Sequence, residues 1–261
     1  MNLFVRRTGE FMGPPIVFLH GGGVAGWIWE RQAEFFRDYH VIIPDLPGHG
    51  RSAEIPFISM DDAASKVMAA VGSAAGNERV ILVGFSLGAQ IAVEIMCRWP
   101  EKVESAVILS AMVRPMNAGK YFLLSLLKWT LGLSRARWFS EWQAKSLHIP
   151  AEYREQYYQD SLKLTRDNFM RMMEANMSYI LPDSFSASNI PTLILAGTKE
   201  LKRMRASAQD MVQANRNCTG YLVSGAGHGL PLAEPDLFNE IVYYFLNNIH
   251  LHKNKRLVRI L

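Results

Sequence analysis

The sequence predicts an α/β fold in which a mostly parallel sheet carries helices on both faces. Short apolar runs rich in β-branched residues alternate with segments of helical periodicity, an alternation that is typical of βαβ units. One of these runs, RVILVGF, continues directly into the helical pattern SLGAQIAVEIMCRW. A strand that enters a helix without a spacer requires a sharp turn, and Ser86 occupies that turn.

The predicted strands fall into two groups, before and after a long segment without strand patterns. An edge strand near the amino terminus precedes the core strands, which are apolar enough to be buried on both faces. The predicted strands are Leu3–Arg7, Ile16–Leu19, His40–Ile43, Val80–Val83, Ala106–Ser110, Thr192–Ala196 and Gly220–Val223.

Helical patterns lie between these strands, and enough of them are present to cover both faces of the sheet. The helix that follows the sharp turn is indicated by apolar residues at helical spacing from Leu87 to Met96. The other predicted helices of the sheet region lie near Trp27–Arg37, Asp61–Ala75, Leu201–Ala214 and Asp236–Ile249.

The alternation stops between Met112 and Asn189, where helical periodicity continues with many aromatic residues and methionines but no convincing strand. A chain of 261 residues is near the upper limit for one domain, which favours one domain with an insertion over two equal domains. We therefore predict a core domain formed by residues 1–111 and 190–261, and a helical cap formed by residues 112–189.

Composition and charge exclude several classes of protein. The chain carries 28 Lys and Arg against 24 Asp and Glu, and this excess is too diffuse to indicate nucleic-acid binding. Cys97 and Cys218, the only cysteines, have no metal-type neighbours and no C-x-x-C spacing. The sequence therefore predicts neither a disulfide framework nor a metal site, and it specifies no oligomeric state.

The apolar segments do not indicate export or membrane insertion. The amino terminus MNLFVRRTGE lacks the apolar region and cleavage site of a signal peptide, which favours a cytoplasmic location. The longest apolar stretch, Tyr121 to Leu133, contains Lys128 and is shorter than a spanning helix. We expect it to form a buried or pocket-lining helix and expect no integral membrane segment.

Gly84-Phe85-Ser86-Leu87-Gly88 fits the G-x-S-x-G nucleophile elbow, in which the serine hydroxyl is exposed above the sheet. Glycine is needed at 84 and 88 because strand and helix pass close together there. The alternative is that Ser86 only caps the helix. The strand before it and the helix after it favour the nucleophile.

His20-Gly21-Gly22-Gly23 follows the first core strand, and such a glycine-rich turn can direct a backbone N–H group toward the elbow. Gly22 and Leu87 are then the predicted donors of an oxyanion hole. His20 and the histidine at position 49 lie in glycine turns, and we expect both to be structural.

The same turn also matches a dinucleotide-binding pattern. Gly21, Gly23 and Gly26 fit G-x-G-x-x-G, and Asp45 ends the next strand. A nicotinamide-dependent enzyme is therefore a remote alternative. Asp45 also opens the turn-rich run DLPGHGRS, which offers a structural explanation for this carboxylate.

A nucleophilic serine needs a base and an acid. His228 lies in the loop Gly225–Gly229 just beyond the last core strand, and the chain order expected for this elbow is Ser, acid, His. Glu200 is the only carboxylate in the turn after the preceding strand, whereas the turn after Ser110 holds no acid. Glu200 is the predicted acid, with a solvated carboxylate at a helix start as the alternative.

These motifs, HGGG, DLPGHGRS, GFSLGA, GTKE and GAGH, together resemble the α/β-hydrolase superfamily over most of the chain outside residues 112–189. The resemblance implies an α/β-hydrolase fold with a cap over the carboxyl edge of the sheet, a Ser-acid-His triad and no cofactor. One position departs from it, because capped members usually carry Asp where this chain has Glu200.

The predicted substrate pocket combines residues of the elbow with residues of the cap. Aromatic side chains and flexible methionines suit an acyl or aryl group, so we expect a partly hydrophobic substrate. Arg114 is placed to meet a substrate carboxylate, although a solvated arginine explains it equally well. The predicted pocket residues are Phe85, Arg114, Trp129 and Met173.

The sequence thus predicts a serine hydrolase that cleaves a small ester through an acyl-enzyme, with thioester, lactone and carbon–carbon acyl bonds as close variants. The predicted catalytic residues are Ser86, Glu200 and His228. The expected partner is a small ester-like molecule and not a nucleic acid. The main alternative is a non-hydrolytic protein of the same fold, either a small-molecule receptor or a cofactor-free lyase.

Overall fold

The computed structural model describes residues 2–9, 13–116, 119–130, 132–249, 251 and 254–260, without the side chains at positions 122, 128–130 and 134. Eight strands in these ranges form one sheet in the order β1-β3-β2-β4-β5-β6-β7-β8. The strands are β1 Val5–Thr8, β2 Ile16–Leu19, β3 Val41–Pro44, β4 Val80–Phe85, β5 Val103–Leu109, β6 Thr192–Gly197, β7 Cys218–Val223 and β8 Leu257–Arg259.

The six strands from β3 to β7 across the sheet run parallel, and an antiparallel strand closes each edge, β1 on β3 and β8 on β7. Every residue of β2, β3, β4 and β6 is buried. Strands covered on both faces need such continuous apolar runs, which is why the sequence predicted them as core strands.

Helices cover both faces of the sheet, so the predicted fold class is confirmed. Successive side chains of a strand point to opposite faces. Accordingly, Leu82 joins the core cluster that includes Ile91, whereas Val83 joins the cluster that includes Phe238. The helices of this part are α1 Glu30–Phe35, α2 Met60–Ala75, α3 Leu87–Arg98, α8 Lys202–Ala214, α9 Leu230–Ala233 and α10 Pro235–Leu246.

We call the chain between β5 and β6 the helical insertion (residues 112–189), and its described residues form four further α-helices. They are α4 Lys120–Thr130, α5 Arg137–Ser146, α6 Arg154–Lys163 and α7 Arg166–Ser178. Polar side chains tie this insertion to the sheet region. The indole N–H of Trp27 donates to Asp160 of α6 over 3.1 Å, and the Phe57 N–H donates to Asn168 of α7 over 3.2 Å.

The buried amide of Gln90 makes the most extensive of these ties. Its Nε2 donates to the carbonyl oxygens of Met112 and Asn176, over 2.7 and 3.1 Å, and its Oε1 accepts from the Asn176 side chain over 2.8 Å. Gln90 lies one turn after Ser86 on α3, so the first and last parts of the insertion are both attached to the helix that follows the elbow.

Two sequence expectations differ from the structure. The basic carboxyl-terminal segment, for which the sequence analysis predicted no strand, forms β8, and Arg256 pairs with Glu234 over 2.6 Å. In the apolar stretch near α4, Tyr121 is 70% exposed and Leu126 is 46% exposed, so this helix is not buried all round.

No helix in the described ranges of the chain combines the length and the apolar character that a membrane crossing needs.

Candidate active site

Ser86 lies between β4 and α3 with φ 54° and ψ −113°, an unfavourable backbone conformation for a residue other than glycine. The strand and helix pass too close for a side chain on either side of it. A Cβ at Gly84 would lie 2.6 Å from the Ala89 Cα, and one at Gly88 would meet the Leu19 carbonyl group. The Ser86 hydroxyl makes no helix-capping hydrogen bond, so helix capping does not explain this serine.

His228 follows β7 and lies within reach of the elbow. Its Nε2 is 3.2 Å from the Ser86 Oγ, and its Nδ1 is 2.8 Å from Oε2 of Glu200. A carboxylate accepts hydrogen bonds only, so Nδ1 carries the proton in this arrangement and Nε2 is free to accept the serine proton. The ring packs against Phe85, with 5.0 Å between ring centroids.

Glu200 lies in the turn after β6, and its side chain is only 2% exposed. Burial alone would raise the pKa of this carboxyl group. Hydrogen bonds and the neighbouring His228 outweigh burial, and the pKa of Glu200 is lowered from its ordinary value. The alternative of a solvated carboxylate at a helix start does not describe this side chain.

Ser110 is the site residue that the sequence analysis missed. It directly follows β5 with φ 58°, and its hydroxyl donates to Oε1 of Glu200 over 2.7 Å. The Gly197 N–H donates to the same oxygen, also over 2.7 Å. Its position in the sequence could have indicated this role, because Ser110 directly follows β5, the parallel strand beside β6, and so lies at the same edge of the sheet as the acid.

The predicted oxyanion donors, Gly22 and Leu87, have N–H groups that make no hydrogen bond within the described part of the chain. Leu87 begins α3, so its N–H group adds to the positive end of that helix. A Cβ at Gly22 would lie 3.0 Å from the sulfur of Met172, a residue of α7. Met172 therefore lies over the glycine turn.

His20 and His49 hold the two glycine-rich loops together. His20 accepts from the Leu46 N–H over 2.9 Å, and His49 accepts from the Gly23 N–H over 3.1 Å. Burial lowers the pKa of His20 to about 4 and that of His49 to about 3. Both rings are therefore neutral near pH 7 and fix the backbone around Gly22.

Asp45 serves the same loops. Its Oδ1 accepts from the Gly26 N–H over 2.7 Å and its Oδ2 from the Arg51 N–H over 2.8 Å, with the residue only 5% exposed. A dinucleotide-binding acid must present its carboxylate to a ribose. The Asp45 carboxylate instead accepts from backbone N–H groups of its own loops, so it does not support the alternative of a nicotinamide-dependent enzyme.

The structure separates the predicted pocket residues. Phe85 lies beside the His228 ring. Met173 is half-buried and packs against the core cluster that includes Met172, and it is Met172 that faces the glycine turn. Arg114 forms a two-pronged ion pair with Asp210, at 2.5 and 2.7 Å, and is not free to meet a substrate. The side chain of Trp129 lies outside the described residues.

A model of the alpha/beta hydrolase family matches residues 16–241. The chain belongs to this family. The resemblance stated from the motifs is therefore confirmed, and the arrangement of Ser86, His228 and Glu200 lies at the sheet edge where the elbow motif of this family predicts it.

Similar proteins cover almost the whole chain. The (E)-2-((N-methylformamido)methylene)succinate hydrolase of Acinetobacter baylyi is 22% identical over 261 residues, which are 94% of this chain and 97% of that protein. Carboxylesterase YbfK of Bacillus subtilis is 28% identical over 262 residues, 93% of this chain and 83% of that protein. The solved structure of Est816, described as an N-acyl homoserine lactone degrading enzyme, superposes with a TM-score of 0.72 and 26% identity, covering 93% of this chain and 96% of that chain.

Proposed function

We propose that the protein is a serine hydrolase that cleaves a carboxylic ester through an acyl-enzyme. The observation that carries this proposal is the continuous hydrogen-bonded series from Ser86 through His228 to Glu200, with distances of 3.2 and 2.8 Å. A binding protein has no need for a strained serine, a histidine and a buried acid in this order.

Each group has one role in the reaction. The Ser86 Oγ attacks the carbonyl carbon while His228 Nε2 takes the hydroxyl proton. The Gly22 and Leu87 N–H groups bind the oxyanion of the tetrahedral intermediate. His228 then gives its proton to the departing alcohol, and the acyl group remains on Ser86 until a water molecule, deprotonated by His228, releases the acid.

The helical insertion, residues 112–189, is the cap of this active site in our proposal. Met172 supports this assignment, because its sulfur faces Gly22, the predicted oxyanion donor. A methionine and the neighbouring Phe85 and Leu87 side chains offer the substrate an apolar and adaptable wall. We therefore propose a small, partly hydrophobic acyl group as the substrate portion that lies under the insertion.

An ester is the first choice among acyl substrates. The names of the similar proteins, a hydrolase, a carboxylesterase and a lactone-degrading enzyme, support hydrolysis as the reaction class. Thioesters, lactones and activated carbon–carbon acyl bonds require the same nucleophile and oxyanion donors, so they are variants of one mechanism.

Labelling with a fluorophosphonate probe, followed by peptide mapping, tests the nucleophile directly. We expect one adduct on Ser86 in the wild type and none in Ser86→Ala, together with a fall in the turnover of p-nitrophenyl esters of at least about 10³-fold. A panel of acyl chain lengths measures the pocket. Turnover by Ser86→Ala above a tenth of the wild-type rate would contradict the proposal, and a folded protein that forms no adduct would favour a receptor.

A further inference from the structure

Ser110 is a buried hydroxyl that the hydrolytic mechanism above does not use. It is 2% exposed, and its own N–H donates to the Leu195 carbonyl oxygen of β6 over 2.8 Å. Its backbone is left-handed, with φ 58°, a conformation that few non-glycine residues adopt. A strained serine at the end of a strand, next to the acid, needs a physical explanation.

Within the described residues, the Ser110 hydroxyl has one hydrogen-bond partner, the carboxylate of Glu200. A carboxylate offers only acceptors, so the 2.7 Å contact between the Ser110 Oγ and Oε1 of Glu200 requires the serine to donate its proton. Oε1 also accepts from the Gly197 N–H, and this leaves Oε2 for His228. The two carboxylate oxygens therefore have different roles: Oε1 is held by Ser110 and Gly197, and Oε2 faces the imidazole of His228.

Glu200 needs such holding more than an aspartate at the same position would. Its side chain is one methylene longer, so one more torsion angle must be fixed before Oε2 faces His228. With only 2% of the side chain exposed, water has little access to replace a lost donor. A donor from the neighbouring strand β5 supplies the restraint.

We propose that Ser110 is a positioning residue for the acid: its hydroxyl fixes the Glu200 carboxylate so that the other oxygen orients His228. This inference rests on the proposed hydrolytic function, and it explains how the long side chain of a glutamate is held as the acid. Ser110 touches neither the substrate nor the reacting atoms, so its removal must act on turnover through Glu200.

Two substitutions distinguish the effect of the Ser110 hydroxyl from the effect of its strained backbone. Ser110→Ala removes the hydroxyl and keeps the strain, whereas Ser110→Gly removes the hydroxyl and suits the left-handed backbone. We expect both variants to lower kcat by about tenfold and to leave KM within about twofold, because the lost hydrogen bond orients the triad and does not bind the substrate. Ser52→Ala is the matched control, since Ser52 is also buried and its hydroxyl accepts from the distant Phe4 N–H.

The pH profile provides a readout that simple destabilisation does not move. Burial opposes ionisation of Glu200, and the Ser110 hydroxyl is one of the groups that hold the pKa of this carboxyl group down. Its removal should shift the acid limb of kcat/KM to higher pH in both Ser110 variants but not in Ser52→Ala. An unshifted acid limb with unchanged kcat in Ser110→Gly, or a loss confined to Ser110→Ala, would overturn the proposal.

Proton NMR keeps this proposal distinguishable from the hydrolytic function. The low-field resonance of His228 Nδ1–H reports its hydrogen bond to Glu200, and it can be recorded in Ser86→Ala, where we expect no turnover. Ser110→Gly should shift this resonance in both backgrounds. A shift together with full activity of Ser86→Ala would refute the hydrolytic function and keep the positioning role, whereas an unshifted resonance would refute the positioning role alone.

Discussion

Two glycine-rich regions of this molecule carry histidines, and the histidines behave in opposite ways. In the loops after β2 and β3, His20 and His49 are buried and bonded to backbone groups. In the loop after β7, the His228 side chain is 42% exposed and lies between a carboxylate and a serine hydroxyl. All three residues are histidines in glycine-rich loops, so their different chemistry is determined by their hydrogen-bond partners and by their exposure to solvent.

The difference follows from what each loop must hold. Burial lowers the pKa of His20 and His49 so far that neither ring gains a proton near pH 7, and each ring acts as a fixed acceptor for a backbone N–H. A general base must instead take up and release a proton during turnover. In the proposed mechanism, the buried carboxylate of Glu200, with its lowered pKa, stabilises the protonated ring of His228 and makes that exchange possible.

Removal of the exposed histidine should have the largest effect. We expect His228→Ala to lower kcat for p-nitrophenyl esters by about 10⁴-fold or more, because Ser86 then has no base. Steady-state and burst kinetics measure the loss, and thermal unfolding checks that the variant is folded.

His40→Ala is the matched control for this experiment. His40 lies just before β3, at the amino ends of the parallel strands and away from the elbow. Its replacement should leave kcat within about twofold, as expected of a substitution remote from the site. If His228→Ala kept a tenth of the wild-type rate, His228 would not be the general base, and the proposed difference between it and the two structural histidines would be wrong.

The buried histidines should affect the pH dependence of protein stability rather than the catalysed reaction. Their pKa values fall from 6.5 to about 4 for His20 and about 3 for His49, so the unfolded chain binds protons that the folded protein excludes. The free energy of unfolding is therefore at its full value above pH 6.5, where both rings are neutral in either state. It decreases as the pH falls from 6.5 toward the pKa values of the folded protein. At pH 5 the loss is about 2 kcal/mol for each ring.

Urea unfolding between pH 7.5 and 5 measures this loss. We expect a free energy of unfolding that decreases with acidity in the wild type, and a smaller slope in His49→Gln, whose amide can still accept from the Gly23 N–H but does not titrate. Equal slopes in the two proteins would show that His49 does not remain neutral when buried.

The same contrast explains which parts of the site the sequence predicted. Ser86, His228 and Glu200 are each marked by local patterns, because an elbow and a glycine loop dictate their own geometry within a few residues. Ser110 and Met172 have no such pattern. Their importance comes from neighbours, 90 residues away in the case of Ser110 and Glu200, which only the assembled sheet brings together.

The fold was predicted more fully than the pocket for a related reason. Parallel core strands are continuous apolar runs and are visible in the sequence, whereas β8 is a three-residue edge strand within a basic segment. On a helix, neighbouring positions differ by about 100° in direction, so the prediction of Met173 as a pocket residue missed Met172, which is the methionine that faces Gly22. Burial of one face of α7 decided between the two methionines.

The smallest effect is expected at Arg114, the one cation predicted for the pocket. Asp210 of α8 holds its guanidinium in a two-pronged ion pair. Arg114→Ala should therefore change KM by less than about twofold, both for neutral esters and for esters that carry a carboxylate, since an exposed ion pair contributes little. Asp210→Ala is the informative partner, because it frees the arginine. If KM for carboxylate-bearing esters falls in Asp210→Ala, but not in Arg114→Ala or in the double variant, then Arg114 can bind the substrate carboxylate. If KM is unchanged in all three variants, the acyl group is selected only by the apolar wall formed by Phe85, Leu87 and Met172.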